Sequence, residues 1–217
     1  MHYKTKLEPN TEGTDYFIGD IHGCYHQLME ELDKIGFDFE NDRLIATGDI
    51  VDRGPNSFKC LTLLDEEWFY TVKGNHEELL YGSLVEGDPS AIMCWVSNGG
   101  NWHNWLSSEE TEELARYLKM VNDLPLLIEV DGVLVVHAEY FDETTEPVQM
   151  TWGRDRLQNK DHTPVLGYDA VVCGHSPVKY NKIIGNTVYL DTGGWFKHGG
   201  GHFSIKPINE IKRMVGK

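Results

Sequence analysis

The sequence predicts an α/β fold, and three features of the chain indicate it. The first half repeats one pattern three times, a short β-favouring run that leads through a turn into an amphipathic helix. Residues 88–122 have mostly helical periodicity, and residues 126–205 contain several further β-favouring runs. Strands that alternate with helices are typical of a sheet whose functional sites lie at the carboxyl ends of its strands.

Each of the three repeated units places a glycine-containing polar motif after its strand. The strands are predicted at residues 16–19, 44–47 and 69–72. The motifs that follow them are Gly19-Asp20-Ile21-His22-Gly23, Gly48-Asp49-Ile50-Val51-Asp52-Arg53-Gly54 and Gly74-Asn75-His76-Glu77. The helices of the three units are predicted at residues 25–35, at residues 58–64 and from the third motif through residue 84.

The middle of the chain is predicted to be a helical insert over one end of the sheet. We define this insert as residues 88–122. Its helical pattern is broken at Asn98-Gly99-Gly100 and resumes at a predicted helix cap near Ser107-Ser108. The strands predicted after the insert lie at residues 126–130, 133–136, 170–173, 182–184, 188–190 and 202–205. Two of these strands lead into His137 and His175, so polar residues again follow strand ends.

Composition limits the classes of protein to which the chain can belong. Its 217 residues, 25% charged and 40% hydrophobic, suit one globular domain over residues 1–217. Lysine and arginine number 19 against 35 aspartate and glutamate, and the net charge of −16 disfavours nucleic acid as a partner. No apolar run is long enough to cross a bilayer, so no membrane partner is expected. Residues 1–14 lack the pattern of a secretory signal, which predicts a cytoplasmic location.

Cysteines and tryptophans are predicted to have structural roles. The four cysteines are widely spaced and have mostly apolar or aromatic neighbours, which predicts buried free thiols rather than disulfides or a zinc site. They are Cys24, Cys60, Cys94 and Cys173. Three tryptophans of the insert, Trp95, Trp102 and Trp105, are predicted to be packing residues rather than to form a binding cage.

Five predicted strands lead into Asp, His or Asn beside small residues, which indicates a metal centre. The six candidate ligands are Asp20, His22, Asp49, Asn75, His137 and His175. A lone Asp is usually a helix cap and a lone His a satisfied surface or core residue, but this regular pattern does not fit that interpretation. Carboxylate, imidazole and amide ligands suit Mn²⁺, Fe or Zn²⁺ better than Ca²⁺. The number of ligands fits two ions, with Asp49 bridging them.

The motifs resemble those of the phosphoprotein phosphatases within the calcineurin-like metallophosphoesterases. The resemblance is nearest to the bacterial and phage, lambda-type branch of serine/threonine protein phosphatases. The three motifs occur in the order and spacing of that family, and His137 and His175 follow as its two later ligands. The similarity extends over nearly the whole chain and includes Trp152-Gly153-Arg154 and Asp191-Thr192-Gly193. It implies a four-layer α/β/β/α sandwich with the metal ions at its edge.

The resemblance also implies a role for each residue of the site. The six candidate ligands bind metal, Arg53 and Arg154 bind the substrate phosphate, and His76 donates a proton while Asp52 steadies it. These last four residues form the predicted catalytic set. Other interpretations remain open, because Asp52 could cap the following helix, Arg53 could form a surface ion pair, and Arg156 could take the place of Arg154.

The predicted function is hydrolysis of phosphate monoesters by water activated between two divalent metal ions. We expect Mn²⁺, with Fe or Zn²⁺ as alternatives. The expected substrates are phosphoserine and phosphothreonine in proteins or peptides, with phosphotyrosine as a further candidate. An alternative enzyme is a dinucleoside polyphosphate hydrolase. An alternative of another class is a non-catalytic, metal-stabilised binding module, but such a module would have no need of His76, Asp52 and Arg53. The sequence predicts no oligomeric state.

Overall fold

The structure, a computed structural model, describes residues 3–217. Its strands are β1 (Lys4–Leu7), β2 (Asp15–Ile18), β3 (Arg43–Ala46), β4 (Phe69–Thr71), β5 (Leu127–Val130), β6 (Val133–Val136), β7 (Ala170–Cys173), β8 (Lys182–Ile184), β9 (Thr187–Tyr189) and β10 (Ile205–Pro207). Its α-helices are α1 (Tyr25–Ile35), α2 (Ser57–Leu61), α3 (Asn75–Tyr81), α4 (Pro89–Ser97), α5 (Ser108–Asp123), α6 (Pro147–Trp152), α7 (Asp155–Asn159) and α8 (Ile208–Met214).

The strands form two sheets. The first has four strands in the order β10-β2-β3-β4, and its three strands β2, β3 and β4 are parallel. The second has six strands in the order β1-β5-β6-β7-β9-β8 and is mixed, with β6, β7 and β9 parallel. The parallel strands are short, apolar and almost wholly buried, as expected where both faces of a sheet are covered.

Three apolar clusters show how the layers pack. One lies between the two sheets and includes Phe17 and Ile45 from the first sheet and Val135 and Val172 from the second. Another covers the outer face of the first sheet with helices α1, α2, α3 and α5. A third covers the outer face of the second sheet and includes Met150 of α6. The predicted four-layer α/β/β/α sandwich is therefore confirmed.

Most predicted elements occur within a residue or two of their expected positions. Helix α1 has the predicted bounds, and it ends at Gly36 in a left-handed conformation, a common helix stop. The insert contains α4, a 3₁₀ segment at Gly100–Trp105 and α5, whose first turn has a capping box between Ser107 and Glu110. Strand β1 and helices α6, α7 and α8 were not predicted. The last predicted strand, at residues 202–205, lies instead at Ile205–Pro207.

The prediction of buried free thiols holds for three of the four cysteines, and Cys94 is half-buried. All four thiols are free, and three of them are buried. Within residues 3–217, the structure has no helix with both the length and the apolar character required to span a bilayer.

Candidate metal centre

Six strands from both sheets direct polar residues to one region. Strands β2, β3 and β4 lead into Asp20, Asp49 and Asn75, while β6 and β7 lead into His137 and His175. The carboxyl ends of these strands meet because the two sheets pack face to face. The sixth contribution is Asp191, which follows β9 and is 1% exposed. The predicted ligands are thus brought together although they lie up to 155 residues apart in the chain.

One group of candidate ligands is formed by His137, Asn75 and His175. The ring nitrogen Nδ1 of His137 donates a hydrogen bond to the carbonyl oxygen of Thr47 (2.6 Å), so Nε2 of a neutral ring carries the lone pair. This Nε2 lies 2.9 Å from Asn75 Oδ1 and 3.1 Å from His175 Nδ1. Two imidazole nitrogens and one amide oxygen thus converge on one point, an arrangement that fits a divalent cation.

The second group is formed around His22. Its Nδ1 donates to the carbonyl oxygen of Val51 (2.9 Å), while its Nε2 is buried without a hydrogen-bond partner. Nε2 lies 3.8 Å from Asp20 Oδ2 and 3.7 Å from Asp49 Oδ2. Nε2 of His76 is also near, 3.9 Å from Asp49 Oδ2. An unpartnered imidazole nitrogen beside two carboxylates again fits a divalent cation.

Asp49 belongs to both groups. Its Oδ1 lies 3.5 Å from His137 Nε2, whereas its Oδ2 faces His22. Oδ1 also accepts a hydrogen bond from the backbone N–H of His76 (2.9 Å), which fixes the orientation of the carboxylate. The geometry therefore presents one oxygen of Asp49 to each candidate ion position.

The electrostatics of the buried groups favour cation binding. Burial opposes ionisation of Asp49, but in acid the protonated imidazoles of His137, His76 and His22 outweigh it and hold the pKa of Asp49 well below its usual range. Burial lowers the pKa of His22 and His137, and that of His175 to about 3, so all three rings are neutral and free to bind metal.

Carboxyl groups at the other side of the centre repel one another. Burial raises the pKa of Asp20 well above its usual value, and the nearby charges of Asp191 and Asp49 add to this effect. Burial likewise raises the pKa of Asp191 to about 6. A divalent cation would relieve this repulsion, because it supplies the opposite charge that these buried carboxylates lack.

The backbone at the centre is strained. Of the seven non-glycine residues with positive φ found within residues 3–217, five belong to the predicted site. They are His22, Asp49, Asp52, Arg53 and His175. A non-glycine residue held at positive φ typically destabilises the folded state by about 1–3 kcal/mol. Strain concentrated in this way indicates that the surrounding packing holds the site in its conformation.

Glycines allow the ligand loops to approach one another closely. A Cβ atom at Gly174 would overlap Asp20 Oδ1, and a Cβ atom at Gly74 would overlap Asp49 Oδ1. A side chain at either position would displace a ligand carboxylate. Glycine at these two positions is therefore a steric requirement of the site.

Glu77 connects two of the ligand loops through hydrogen bonds to their backbone. Its buried carboxylate accepts hydrogen bonds from the backbone N–H groups of Asp49 (2.8 Å), Ile50 (2.9 Å) and Gly74 (2.9 Å). Burial raises the pKa of Glu77 to about 7, and the charge of Asp49 adds to this shift. Glu77 ties the loop of Asp49 to the start of α3, which carries Asn75.

His76 lies beside the ligands and is held by Asp52. Its Nδ1 is 2.6 Å from Asp52 Oδ2, and its Nε2 is 3.1 Å from Arg53 Nη2. Burial opposes protonation of His76, but Asp49 and Asp52 outweigh it and raise its pKa. Asp52 is fully buried, and helix α2 begins only at Ser57, so its carboxylate does not cap that helix. The guanidinium of Arg53 is exposed and lies 4.7 Å from the centre of the Trp195 ring.

The two candidate arginines after α6 differ in their surroundings. Arg156 is 2% exposed, and its Nη1 donates to the carbonyl oxygens of Asp161 (3.1 Å) and Thr163 (2.6 Å). Arg154 is exposed, and its charge contributes to the lowered pKa of His137 and His175. Arg156 is therefore engaged within the protein, whereas Arg154 is free to meet a ligand.

Sequence reasoning missed several residues of this region. Asp191 was noted only as part of a family motif, although it follows a predicted strand as the candidate ligands do, so the same pattern could have assigned it to the site. Glu77 gave no such signal, because its partners are backbone groups. The expectation that the insert tryptophans pack rather than form a cage holds for Trp95 and Trp102, which belong to or pack against the apolar cluster on the first sheet, but not for Trp105. Trp95 and Trp102 donate hydrogen bonds to Asp52, and Trp105 is 83% exposed.

Comparison with known proteins gives consistent matches. Residues 16–179 match the family model described as calcineurin-like phosphoesterase. The chain is 33% identical over 203 residues to serine/threonine-protein phosphatase 1 of Salmonella typhimurium, and the match covers 89% of this chain and 91% of the relative. It is 31% identical over 206 residues to the asymmetrical bis(5'-nucleosyl)-tetraphosphatase PrpE of Halalkalibacterium halodurans, with 81% of this chain and 83% of that protein covered.

A solved crystal structure assigned to a diadenosine tetraphosphatase has a similar fold. Its TM-score is 0.62 at 23% identity, and the match covers 95% of this chain and 98% of that chain.

Proposed function

The chain belongs to the calcineurin-like phosphoesterase family and is a hydrolase, and we propose that it removes phosphate from phosphoserine and phosphothreonine residues of proteins. The observation that carries this proposal is the position of Asp49, whose two oxygens face two separate groups of candidate metal ligands. The relative named serine/threonine-protein phosphatase 1, of which the chain covers 91%, supports the class of substrate. Phosphotyrosine is a further candidate substrate.

The residues proposed to hold two divalent ions are the six ligands predicted from the sequence. Asp20 and His22 would hold one ion, Asn75, His137 and His175 would hold the other, and Asp49 would contribute to both. We propose Mn²⁺ as the native metal, with Fe or Zn²⁺ as alternatives, because the ligands combine carboxylates with neutral imidazoles. Two such ions, when bound, would supply an activated water and positive charge for the phosphate.

The other site residues bind the substrate and move a proton. Arg53 and Arg154 are exposed beside the ligands, and their planar guanidinium groups match the oxygens of a phosphate. His76 gives a proton from Nε2 to the departing alkoxide oxygen. Asp52 accepts the hydrogen bond of the other ring nitrogen, which fixes the orientation of the ring and favours its charged form. Arg53 must turn from His76 toward the phosphate, which frees Nε2 for this role.

We further propose that the chain is one domain that acts on phosphorylated proteins or peptides in the cytoplasm. The strongly negative net charge argues against nucleic acid as a partner. The main alternative substrate is a dinucleoside polyphosphate, since the tetraphosphatase relative is 31% identical to this chain.

A substrate panel tests the proposal. The protein is reconstituted separately with Mn²⁺, Fe²⁺ and Zn²⁺, and kcat/KM is measured on phosphoserine, phosphothreonine and phosphotyrosine peptides of one sequence and on diadenosine tetraphosphate. We expect the phosphoserine and phosphothreonine peptides to be the best substrates. A kcat/KM for the nucleotide that exceeds that for every peptide would reject the proposal in favour of the alternative. The Asp49→Asn variant is the control for contaminating activity.

A further inference from the structure

Two indole groups of the insert converge on one buried carboxylate. Trp95 Nε1 lies 3.0 Å from both carboxylate oxygens of Asp52, and Trp102 Nε1 donates to Oδ1 at 2.7 Å. Oδ2 is also the atom that faces His76 Nδ1 at 2.6 Å. Asp52 is fully buried, so these donors stand where water would otherwise hydrate the charge.

The packing of the insert holds the two indoles in place. Trp95 is 1% exposed, and a Cβ atom at Gly100 would overlap its ring. The imidazole of His103 stacks on the same ring, with centroids 5.0 Å apart, and Trp102 meets it edge to face at 6.3 Å. The orientation of both indole N–H groups is therefore fixed by contacts within the insert.

We propose that Trp95 and Trp102 are positioning residues that orient the Asp52 carboxylate toward His76, so that the insert is part of the apparatus for proton donation. This inference rests on the proposed role of His76. A carboxylate can rotate about its χ2 bond, and rotation would move Oδ2 away from His76 Nδ1. Donors on both oxygens resist this rotation, because it would leave charge-assisted hydrogen bonds unmade in a buried site.

A role in packing alone does not account for this arrangement. Packing requires the area and shape of the rings, and a phenyl ring supplies most of both. The two N–H groups nevertheless meet on one carboxylate, 43 and 50 residues away in the chain. Trp105 belongs to the same 3₁₀ segment as Trp102 but is 83% exposed, so it offers a matched control.

The test removes one N–H group and compares two leaving groups. Trp102→Phe keeps an aromatic ring and loses the donor to Asp52. We expect its kcat on a phosphoserine peptide to fall about tenfold, the effect of one hydrogen bond to a charged group. On p-nitrophenyl phosphate, whose leaving group needs little protonation, the fall should be less than about twofold. Trp105→Phe should leave both values unchanged, and metal content and melting temperature are measured for every variant.

A double-mutant cycle separates positioning from a general structural effect. If Trp102 acts through His76, then adding Trp102→Phe to His76→Asn should change kcat by less than about twofold. The inference would be overturned if Trp102→Phe lowered kcat equally on both substrates. It would also be overturned if Trp102→Phe lowered kcat as much in the His76→Asn variant as it does in the unmodified protein. Trp95→Phe provides a second variant, and its losses should show the same dependence on the leaving group.

The same data distinguish this inference from the proposed function. If His76→Asn loses the phosphoserine activity selectively but Trp102→Phe does not, the positioning role alone is wrong. If His76→Asn itself shows no dependence on the leaving group, the proton-donor role is wrong and the inference falls with it. A readout independent of activity is the indole N–H resonance of Trp102, which should shift in Asp52→Asn while that of Trp105 does not.

Discussion

Asp49 is the side chain in which the two ligand groups meet, and it therefore has a different importance from the other carboxylates. Among the imidazole nitrogens, that of His22 faces the Asp20 carboxylate, whereas those of both His22 and His137 face Asp49. Each oxygen of Asp49 has a separate task, so an amide, with one carbonyl oxygen and one NH₂ group, cannot replace both. This asymmetry leads to a direct comparison of two isosteric variants.

We predict that Asp49→Asn lowers metal content and turnover more than Asp20→Asn. The loss of turnover in Asp49→Asn should be at least about 100-fold, because charge stabilisation from both ions is weakened. Metal content by mass spectrometry and kcat on a phosphoserine peptide test this expectation. Equal metal content in the two variants would contradict the bridging role.

We predict that His76→Asn keeps nearly all of its metal but loses about 10²–10⁴-fold in kcat on phosphoserine peptides. The reason is that phosphoserine leaves as a strongly basic alkoxide, which needs the proton. p-Nitrophenyl phosphate releases a much weaker base, so its hydrolysis should fall far less. The exposed His26 on α1 supplies the control variant His26→Asn. If the loss of kcat matched a loss of bound metal, or if kcat fell equally on both substrates, His76 would not be the proton donor.

Among the secondary-structure elements, the start of α7 is held by a residue of the loop that follows β6. The buried carboxylate of Glu139 accepts a hydrogen bond from the backbone N–H group of Arg156 (2.6 Å). Arg154 lies two residues before Arg156. Glu139 thus fixes the backbone that presents Arg154 at the edge of the metal centre.

We predict that Arg154→Ala raises KM for phosphopeptides about 10- to 100-fold, the effect of losing hydrogen bonds between charged groups. Glu139→Gln should raise KM in the same direction but by less, because the amide keeps one acceptor oxygen. Metal content should stay unchanged in both variants. Replacement of the exposed Lys160 by alanine is the control, and an unchanged KM in Arg154→Ala would exclude it from phosphate binding.

Helices and strands with a clear periodicity in the local sequence were predictable. Elements that form only through contacts with distant segments were not. Helix α1 has clear amphipathic periodicity, and of the five strands that lead into the predicted ligands, four are followed by a glycine within three residues. Strand β1 has an exposed, polar sequence and exists because it pairs with β5. The contacts of Trp95 and Trp102 with Asp52 likewise join distant segments, so no local pattern reports them.

Over the whole molecule, the metal centre joins the two sheets. The first sheet supplies Asp20, Asp49 and Asn75, and the second supplies His137 and His175. The sequence predicted that the candidate ligands would lie together because each one follows its strand. It could not predict which strands share a sheet, because periodicity records the burial of a strand and not its neighbours.

We predict that chelation abolishes activity and lowers the melting temperature. A metal ion at about 100 times its Kd stabilises the folded state by roughly 2.7 kcal/mol, which corresponds to about 5–10 °C for a chain of this size. Repulsion among the buried carboxylates adds to the loss. Melting temperatures measured with EDTA and after return of Mn²⁺ test this expectation. The melting temperature of Asp49→Asn should change less on removal of metal. Full activity after complete removal of metal would exclude the metal mechanism.

The crowded glycines beside the ligands have a consequence for the tolerance of this protein to mutation. In a library of all single substitutions, activity should be lost not only at residues with chemical groups but also at Gly74 and Gly174, where even alanine would collide with a ligand carboxylate. By contrast, alanine at Gly36 or Gly87 meets no neighbouring atom, although its positive φ is unfavourable. A map of such a library would therefore outline the metal centre partly through positions that carry no side chain.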